Sequence, residues 1–268
     1  MQSNPVITLT TDFGLNDPFV GVMKGAILSI NPSANVIDLS HGIASHDIRE
    51  AAFTLGMNYK FFPERTCHVV VVDPGVGSRR RPLLVVTERQ YFIGPDNGVF
   101  SYIYKLEART LQVIHITADH YFLKSKSSTF QGRDVFAPVA AWLSGGKNVQ
   151  NFGEVITDYL SIDLQIPALG KGAIKGEIIH VDKFGNATTN ISQTEIDALI
   201  SQNPGAPLRV LLAGKEVPMK MYYGEALDKE LHSVINSSEY VEFFVNRGSA
   251  AQLFNITIGN TVEIQNTP

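Results

Sequence analysis

Two aspartates stand where short apolar runs stop: Asp12 after Val6 to Thr10, and Asp73 after the valines Val69 to Val72. A carboxylate placed there can accept two hydroxyl hydrogen bonds, as a diol requires, or it can orient a water molecule. Asp73 opens the stretch DPGVGSRRR, in which glycines that permit close backbone approach lead at once into Arg79, Arg80 and Arg81. Charges at the end of a core strand mark either a solvated loop tip or a site. His41 and Asn97 follow other strand-like runs, Asn97 inside GPDNG. STFQGRDVFAP sets Gln131, Gly132, Arg133 and Asp134 ahead of an apolar helical run, and HVDKFGNATTN combines Asp182, Phe184, Asn186 and Asn190. Each fragment also has a structural reading: helix capping for Asp17 and Asp134, an ion pair between Arg133 and Asp134, and turn chemistry at Gly185-Asn186. No G-x-G-x-x-G and no G-K-[ST] occurs, so neither a dinucleotide fold nor a phosphate-cradling loop is supported.

These residues need elements to hold them. Pro18 to Ile30 carries apolar residues at helical spacing, with Asn16 and Asp17 as N-cap candidates and Pro18 at the first helical position. Val36 to Leu39 reads as a strand and His46 to Phe62 as a helix. Strands follow at Val69 to Val72, Leu83 to Val86 and Tyr91 to Ile93. The alternation predicts an α/β layer with a mostly parallel sheet, whose ligands bind beyond the carboxyl ends of the strands. That puts Asp12, His41, Asp73 and Asn97 along one sheet edge. Past Gly172 the pattern changes to short strands at Glu177 to Val181, Leu208 to Leu212, Glu239 to Val245, Asn255 to Ile258 and Thr261 to Ile264, with one short helix at Thr194 to Ser201. We read residues 1–160 as the α/β N-terminal domain and 172–268 as a smaller all-β, barrel-like C-terminal domain.

The bulk numbers narrow the function classes. The chain has 268 residues, 44% hydrophobic and 18% charged, with a net charge of −4. No basic run exceeds the three arginines, so nucleic acid is not an expected partner. The single cysteine, Cys67, leaves no disulfide framework and no thiolate cluster, and its valine-rich neighbours predict a buried strand position. The N-terminus lacks a charged segment followed by an apolar one, and no stretch reaches the ~18 apolar residues of a membrane span. A cytoplasmic protein without membrane contact is expected.

Taken in order, TTDFG, the DPGVG loop with its arginines, PDNG, FQGRDVFAP and DKFGNATTN resemble the S-adenosylmethionine hydroxide adenosyltransferases, relatives of the fluorinase and chlorinase. The resemblance spans essentially the whole chain, including INSSEYVEFFVNRGSAA from Ile235 to Ala251. It implies an α/β domain, a β-rich domain and a homotrimer whose substrate lies between one subunit's N-terminal domain and its neighbour's C-terminal domain. The implied reaction replaces methionine at C5′ of the adenosyl group by a water-derived hydroxyl, giving adenosine and L-methionine with no further cofactor. Carried over to this chain, Asp12 holds the ribose hydroxyls, and Asp73 and Arg80 belong to the water-activating set. Asp182 faces the methionine ammonium, with Asn186 nearby and Ser237 at the carboxylate. Asn97 joins the substrate-binding set, and Asn246 and Arg247 fall where the family's backbone surrounds adenine. The fluorinase pattern has an aromatic hydroxyl in place of Asp73 and a serine in place of Gly132, which points toward water and away from halide.

One residue departs from the pattern: Gln131 occupies the place of the family's third activating residue, a histidine. Glutamine can orient a water through its donor and acceptor atoms but takes no proton near neutral pH. The resemblance therefore implies a rate–pH profile without an imidazole limb. Two rival readings stand beside it. Asp12, Asp17, His41, His46 and Asp73 offer hard ligands suited to Mg²⁺ or Mn²⁺ in a metal-dependent hydrolase, although no H-x-H or H-E-x-x-H spacing occurs and the arginines would repel a cation. The other is an adenosyl-binding protein that has lost catalysis along with the histidine.

Overall fold

The computed structural model describes residues 5–124, 127–227 and 229–266, and the chain divides into two compact units, Met1–Leu164 and Gln165–Pro268. The first contains, in chain order, β1 (Val6–Thr11), α1 (Phe19–Ile30), β2 (Asn35–Ser40), α2 (Ile48–Asn58), β3 (Cys67–Val71), β4 (Pro82–Val86), β5 (Tyr91–Pro95), α3 (Ser101–Leu106), β6 (Gln112–Ile116), α4 (Ala137–Ser144) and β7 (Gly153–Ile156). Its sheet runs in the order β2-β1-β3-β5-β4-β6-β7. β2, β1, β3, β5 and β6 point one way, while β4 and β7 return antiparallel at the far side.

β3 shows why valines are needed here. A strand covered on both faces reads as a continuous apolar run, because alternate side chains enter different cores. Val69 and Val71 pack with α1 and α4, whereas Val70 and Val72 pack with α2 and α3. Cys67, at the start of β3, is fully buried, and burial pushes its thiol pKa up to about 12.

Two helix boundaries differ from the sequence expectation. α1 begins at Phe19 with Pro18 as its N-cap and no side-chain cap, so neither Asn16 nor Asp17 serves as one. α2 begins only at Ile48, where Asp47 accepts the Glu50 N–H at 2.9 Å. His46 stands outside the helix with φ 69°, and the far end tightens into a 3-10 turn at Tyr59–Phe61.

The second unit contains β8 (Ala168–Leu169), β9 (Ala173–Val181), β10 (Ala187–Ser192), α5 (Gln193–Ile200), β11 (Leu208–Leu212), β12 (Lys215–Val217), β13 (His232–Ile235), β14 (Tyr240–Phe244), α6 (Ala250–Phe254) and β15 (Thr261–Asn266). Its pairings are antiparallel in the order β12-β11-β15-β9-β10-β14-β13, with β8 on β9. A bridge between Met219 and Ser233 brings the two ends of the sheet together, which makes it nearly a closed barrel. Ile174, Ile191, Val241, Phe243 and Ile264 belong to its separate core. The strand expected over residues 255–258 is absent. Ser249 caps α6 by accepting the Gln252 N–H, and Asn255 ends the helix in the left-handed conformation that asparagine tolerates. Among the described residues no helix is long and apolar enough to cross a membrane.

Candidate active site

In the first unit, a cavity of about 330 Å³ opens at the carboxyl ends of β1 and β3. Asp12, His46, Asp73, Gln131 and Gly132 line it, with Phe13, Phe19 and Phe130 as an apolar wall. Those three rings pack tilted or edge to face, with centroids 5.4–5.9 Å apart. Asp12 Oδ2 accepts the main-chain N–H of His46 at 2.9 Å, and the His46 Nδ1 lies 3.9 Å from the same oxygen. The His46 side chain is 73% exposed, so its ring faces the open side.

Asp73 receives its arginine from within the same loop. Arg80 Nε donates to Oδ1 at 3.0 Å and to Oδ2 at 2.9 Å, and Nη2 adds a further bond to Oδ2. The two side chains are only 4% and 8% exposed, and the guanidinium lies 5.3 Å from the Phe136 ring centroid. Arg80 Nη1 is a buried donor with no hydrogen-bond partner among the described residues. A fork of donors beside a carboxylate, with one donor free, can bind an anionic oxygen.

Gln131 enters the cavity as the N-cap of an unusual element, a single π-helical turn from Gly132 to Phe136 that runs into α4. Such turns concentrate at functional sites because they re-aim side chains. Gly132 keeps this approach close: a Cβ there would stand 3.2 Å from Met23 Sδ, 3.2 Å from the Phe130 ring and 3.3 Å from Val71. The neighbouring Arg133 and Asp134 form the structural ion pair, at 2.6 Å and 2.8 Å.

Asn97 is placed differently. Its Nδ2 donates to the Val72 carbonyl at 2.9 Å and its Oδ1 accepts the Val99 N–H at 3.2 Å, so the side chain fastens the chain one residue ahead of Asp73. It is not among the residues that line the cavity.

The second unit has its own cavity, of about 590 Å³, where Asp182, Asn186, Asn246 and Arg247 meet Phe184, Tyr223 and Phe244. Asp182 organises the β9–β10 turn. Its Oδ1 accepts the Phe184 N–H at 2.9 Å and the Asn186 N–H at 2.8 Å, and Oδ2 accepts Asn186 Nδ2 at 3.2 Å. Gly185 has φ 84°, and a Cβ there would lie 2.0 Å from Ser249 Oγ, so only glycine closes this turn. Asn246 Nδ2 donates to the Ala226 carbonyl. Ser237 is exposed on the turn between β13 and β14 and does not line the cavity.

Sequence reasoning singled out Phe184 but missed Tyr223, Phe244 and the aromatic wall of the first cavity. The Tyr223 hydroxyl donates to Glu242 Oε1 at 2.8 Å, and the buried Glu242 also accepts from Thr188 Oγ1 at 3.1 Å and Asn236 Nδ2 at 3.0 Å. Burial, with the Glu242 bond next, raises the Tyr223 pKa. The hard-ligand set is dispersed, since Asp17 is exposed outside the cavity and His41 is buried against Thr11 and Asp38. Among the described residues no group of three or more His, Cys, Asp or Glu is placed to hold a metal ion.

Comparison with known proteins agrees over nearly the full length. The model of the SAM hydroxide adenosyltransferase N-terminal domain matches residues 7–153, and that of the corresponding C-terminal domain matches residues 176–263. A Methanocaldococcus jannaschii protein named (R)-S-adenosyl-L-methionine hydrolase is 34% identical, over 97% of this chain and 95% of its own. One of the same name from Thermus thermophilus is 32% identical, over 97% and 99%. The crystal structure of a conserved protein from Thermotoga maritima superposes with a TM-score of 0.88 at 34% identity, covering 97% of this chain and 99% of that one.

Proposed function

This chain belongs to the SAM hydroxide adenosyltransferases, and on that basis we propose that it hydrolyses S-adenosyl-L-methionine to adenosine and L-methionine. Water oxygen forms a bond to C5′ as the C5′–sulfur bond breaks. Methionine leaves with the bonding pair as a neutral thioether, and the water proton passes to solvent. Attack by an oxygen with anionic character on a sulfonium disperses charge, so a dry pocket that aligns oxygen, C5′ and sulfur accelerates it.

The observation that carries this reading is the buried Asp73–Arg80 pair, its acid in one cavity with Asp12 and Gln131. Asp12 binds the ribose hydroxyls. Asp73 orients the attacking water and shields the sulfonium, the free Nη1 donor of Arg80 stabilises the developing anion, and Gln131 orients the water from the π turn. In the second unit Asp182, Asn186 and Ser237 take the methionine end, and Asn246 and Arg247 surround adenine. The same reading includes a cytoplasmic homotrimer with the site completed at a subunit interface, no cofactor beyond the substrate, and the (R) sulfonium form that the relatives' names specify.

Incubation with S-adenosylmethionine in ¹⁸O-water, with chromatography and mass analysis, tests the proposal. The expected product is adenosine labelled at its 5′ oxygen, formed equally well in EDTA and abolished by Asp73→Ala. Full turnover by Asp73→Ala would overturn the assignment of the acid. Calorimetric binding without any product would make the protein an adenosyl-binding protein instead.

A further inference from the structure

The segment that carries Asp12 and Phe13 to the cavity is held from behind by a line of polar groups that the reaction does not use. Lys24 Nζ, on α1, donates to Asp38 Oδ2, on β2, at 2.7 Å. Asp38 Oδ1 lies 2.9 Å from His41 Nε2, with the ring N–H not aimed squarely at the oxygen. His41 Nδ1 is 2.9 Å from Thr11 Oγ1, and that same oxygen accepts the Phe13 N–H at 3.2 Å. His41 grips the segment a second time through its main chain, whose carbonyl accepts the Gly14 N–H at 2.9 Å. The His41 side chain is 4% exposed and Thr11 is fully buried.

The proton positions follow from electrostatics. In the neutral ring a lone pair on Nε2 would face a carboxylate oxygen at that distance, so that form carries its proton on Nε2 and accepts at Nδ1. Thr11 must then donate its hydroxyl proton to Nδ1, which leaves its oxygen to accept from Phe13. Every donor from Phe13 through Thr11 to His41 then points toward Asp38. Burial pushes the Asp38 pKa up, but the His41 and Lys24 contacts outweigh it and hold the group below its ordinary value, so Asp38 is an anion near neutral pH. Residues 11–14 are pinned on both sides of Asp12, and the His46 N–H holds its Oδ2 from the cavity side.

We propose that His41 is a positioning residue for this reaction, presetting the Asp12 carboxylate through Thr11 and the Phe13 amide so that the ribose diol meets an already ordered acceptor. The proposal rests on the reading that Asp12 binds the diol. Ordering that carboxylate before binding removes an entropic cost that substrate would otherwise meet. Asp12 touches the substrate, and His41 acts only through the segment that bears it.

The test compares S-adenosylmethionine with its 2′,3′-dideoxyadenosyl analogue on the full chain. For His41→Gln, KM for S-adenosylmethionine should rise ~tenfold, the scale of one charge-assisted hydrogen bond, with kcat within ~threefold, while KM for the analogue moves less than ~twofold. A merely structural lesion penalises both substrates alike, and that result would overturn the proposal. Asp12→Ala separates the two claims. If it shows the diol dependence and His41→Gln does not, the Asp12 reading stands and the His41 role falls; if Asp12→Ala costs the same on both substrates, both fall. Should His41→Gln not fold, Asp38→Asn probes the line at its partly exposed end. It should show the same diol-dependent pattern at smaller size, and equal effects on the two substrates would again overturn the proposal.

Discussion

At the scale of the residue, the site rests on geometry that charge alone does not supply. Arg80 uses Nε and Nη2 on Asp73 and keeps Nη1 free, a division that a lysine ammonium cannot reproduce. Arg80→Lys should therefore lower kcat by ~100-fold with little change in KM, the scale of losing one oxyanion donor; kcat within threefold of wild type would show that only the charge matters. His46 raises a second question, because its ring shares the cavity with Gln131, where the family's histidine is missing. The defined contact of His46 with Asp12 is its main-chain N–H, and asparagine tolerates the left-handed φ of 69°. His46→Asn should leave the shape of the kcat/KM–pH profile unchanged and free of an imidazole limb. A wild-type limb that this substitution removes would instead assign proton transfer to His46. Asp12 and Asp73 were legible in the sequence because each is the first charged residue past a strand-like run, at the carboxyl ends of neighbouring parallel strands. Phe13, Phe19 and Phe130 were not, since an aromatic that walls a cavity has the same spacing and neighbours as one in a core.

At the scale of the element, the π turn and the two-sided β3 are what make the site. Gly132→Ala would press a methyl group onto Met23, Phe130 and Val71, which line or back the same cavity as Gln131. We expect a loss of stability of ~1–2 kcal/mol, typical of modest overpacking, together with a larger proportional loss of activity. Thermal melts and initial rates report the two separately, and a destabilised variant with full kcat would detach the turn from catalysis. The valine run of β3 was legible for the reason given by its packing, alternate residues entering different cores. β10, with the sequence ATTNIS, was not, because its threonines are buried in spite of their hydroxyls. The helix expected from His46 overran its true start because apolar spacing carries no record of a left-handed residue ahead of the cap.

At the scale of the whole molecule, one buried imidazole makes the fold sensitive to acid. His68 lies at the centre of the first unit, with Nδ1 2.8 Å from Thr8 Oγ1 and Nε2 3.3 Å from Gln90 Oε1, stacked 5.1 Å from the Phe92 ring centroid. Burial lowers its pKa to about 4, against a smaller opposing effect of the Gln90 bond. The unfolded chain takes up a proton near the ordinary imidazole value of ~6.5, while the folded protein does not until about pH 4. This contribution to stability is therefore complete above that ordinary value and is lost as pH falls toward 4, by ~3 kcal/mol over the window. His68→Gln, which keeps polar atoms for Thr8 and Gln90, should flatten the dependence of the urea midpoint on pH between 7 and 4. Parallel wild-type and variant curves would show that His68 does not contribute. The two-unit layout was legible from the change in pattern past Gly172, whereas the near-closure of the second sheet depends on the Met219–Ser233 bridge, which no local signal announces.

Cys67 has a practical consequence. The chain's sole thiol is sealed inside the first sheet and held protonated at neutral pH, so maleimides and disulfide reagents have nothing to attack in the native protein. A cysteine introduced at the rim of either cavity, at exposed Phe184 for example, becomes a unique anchor for a fluorophore or spin label. Opening and filling of the pocket can then be followed by spectroscopy without first stripping the native sulfur from the protein.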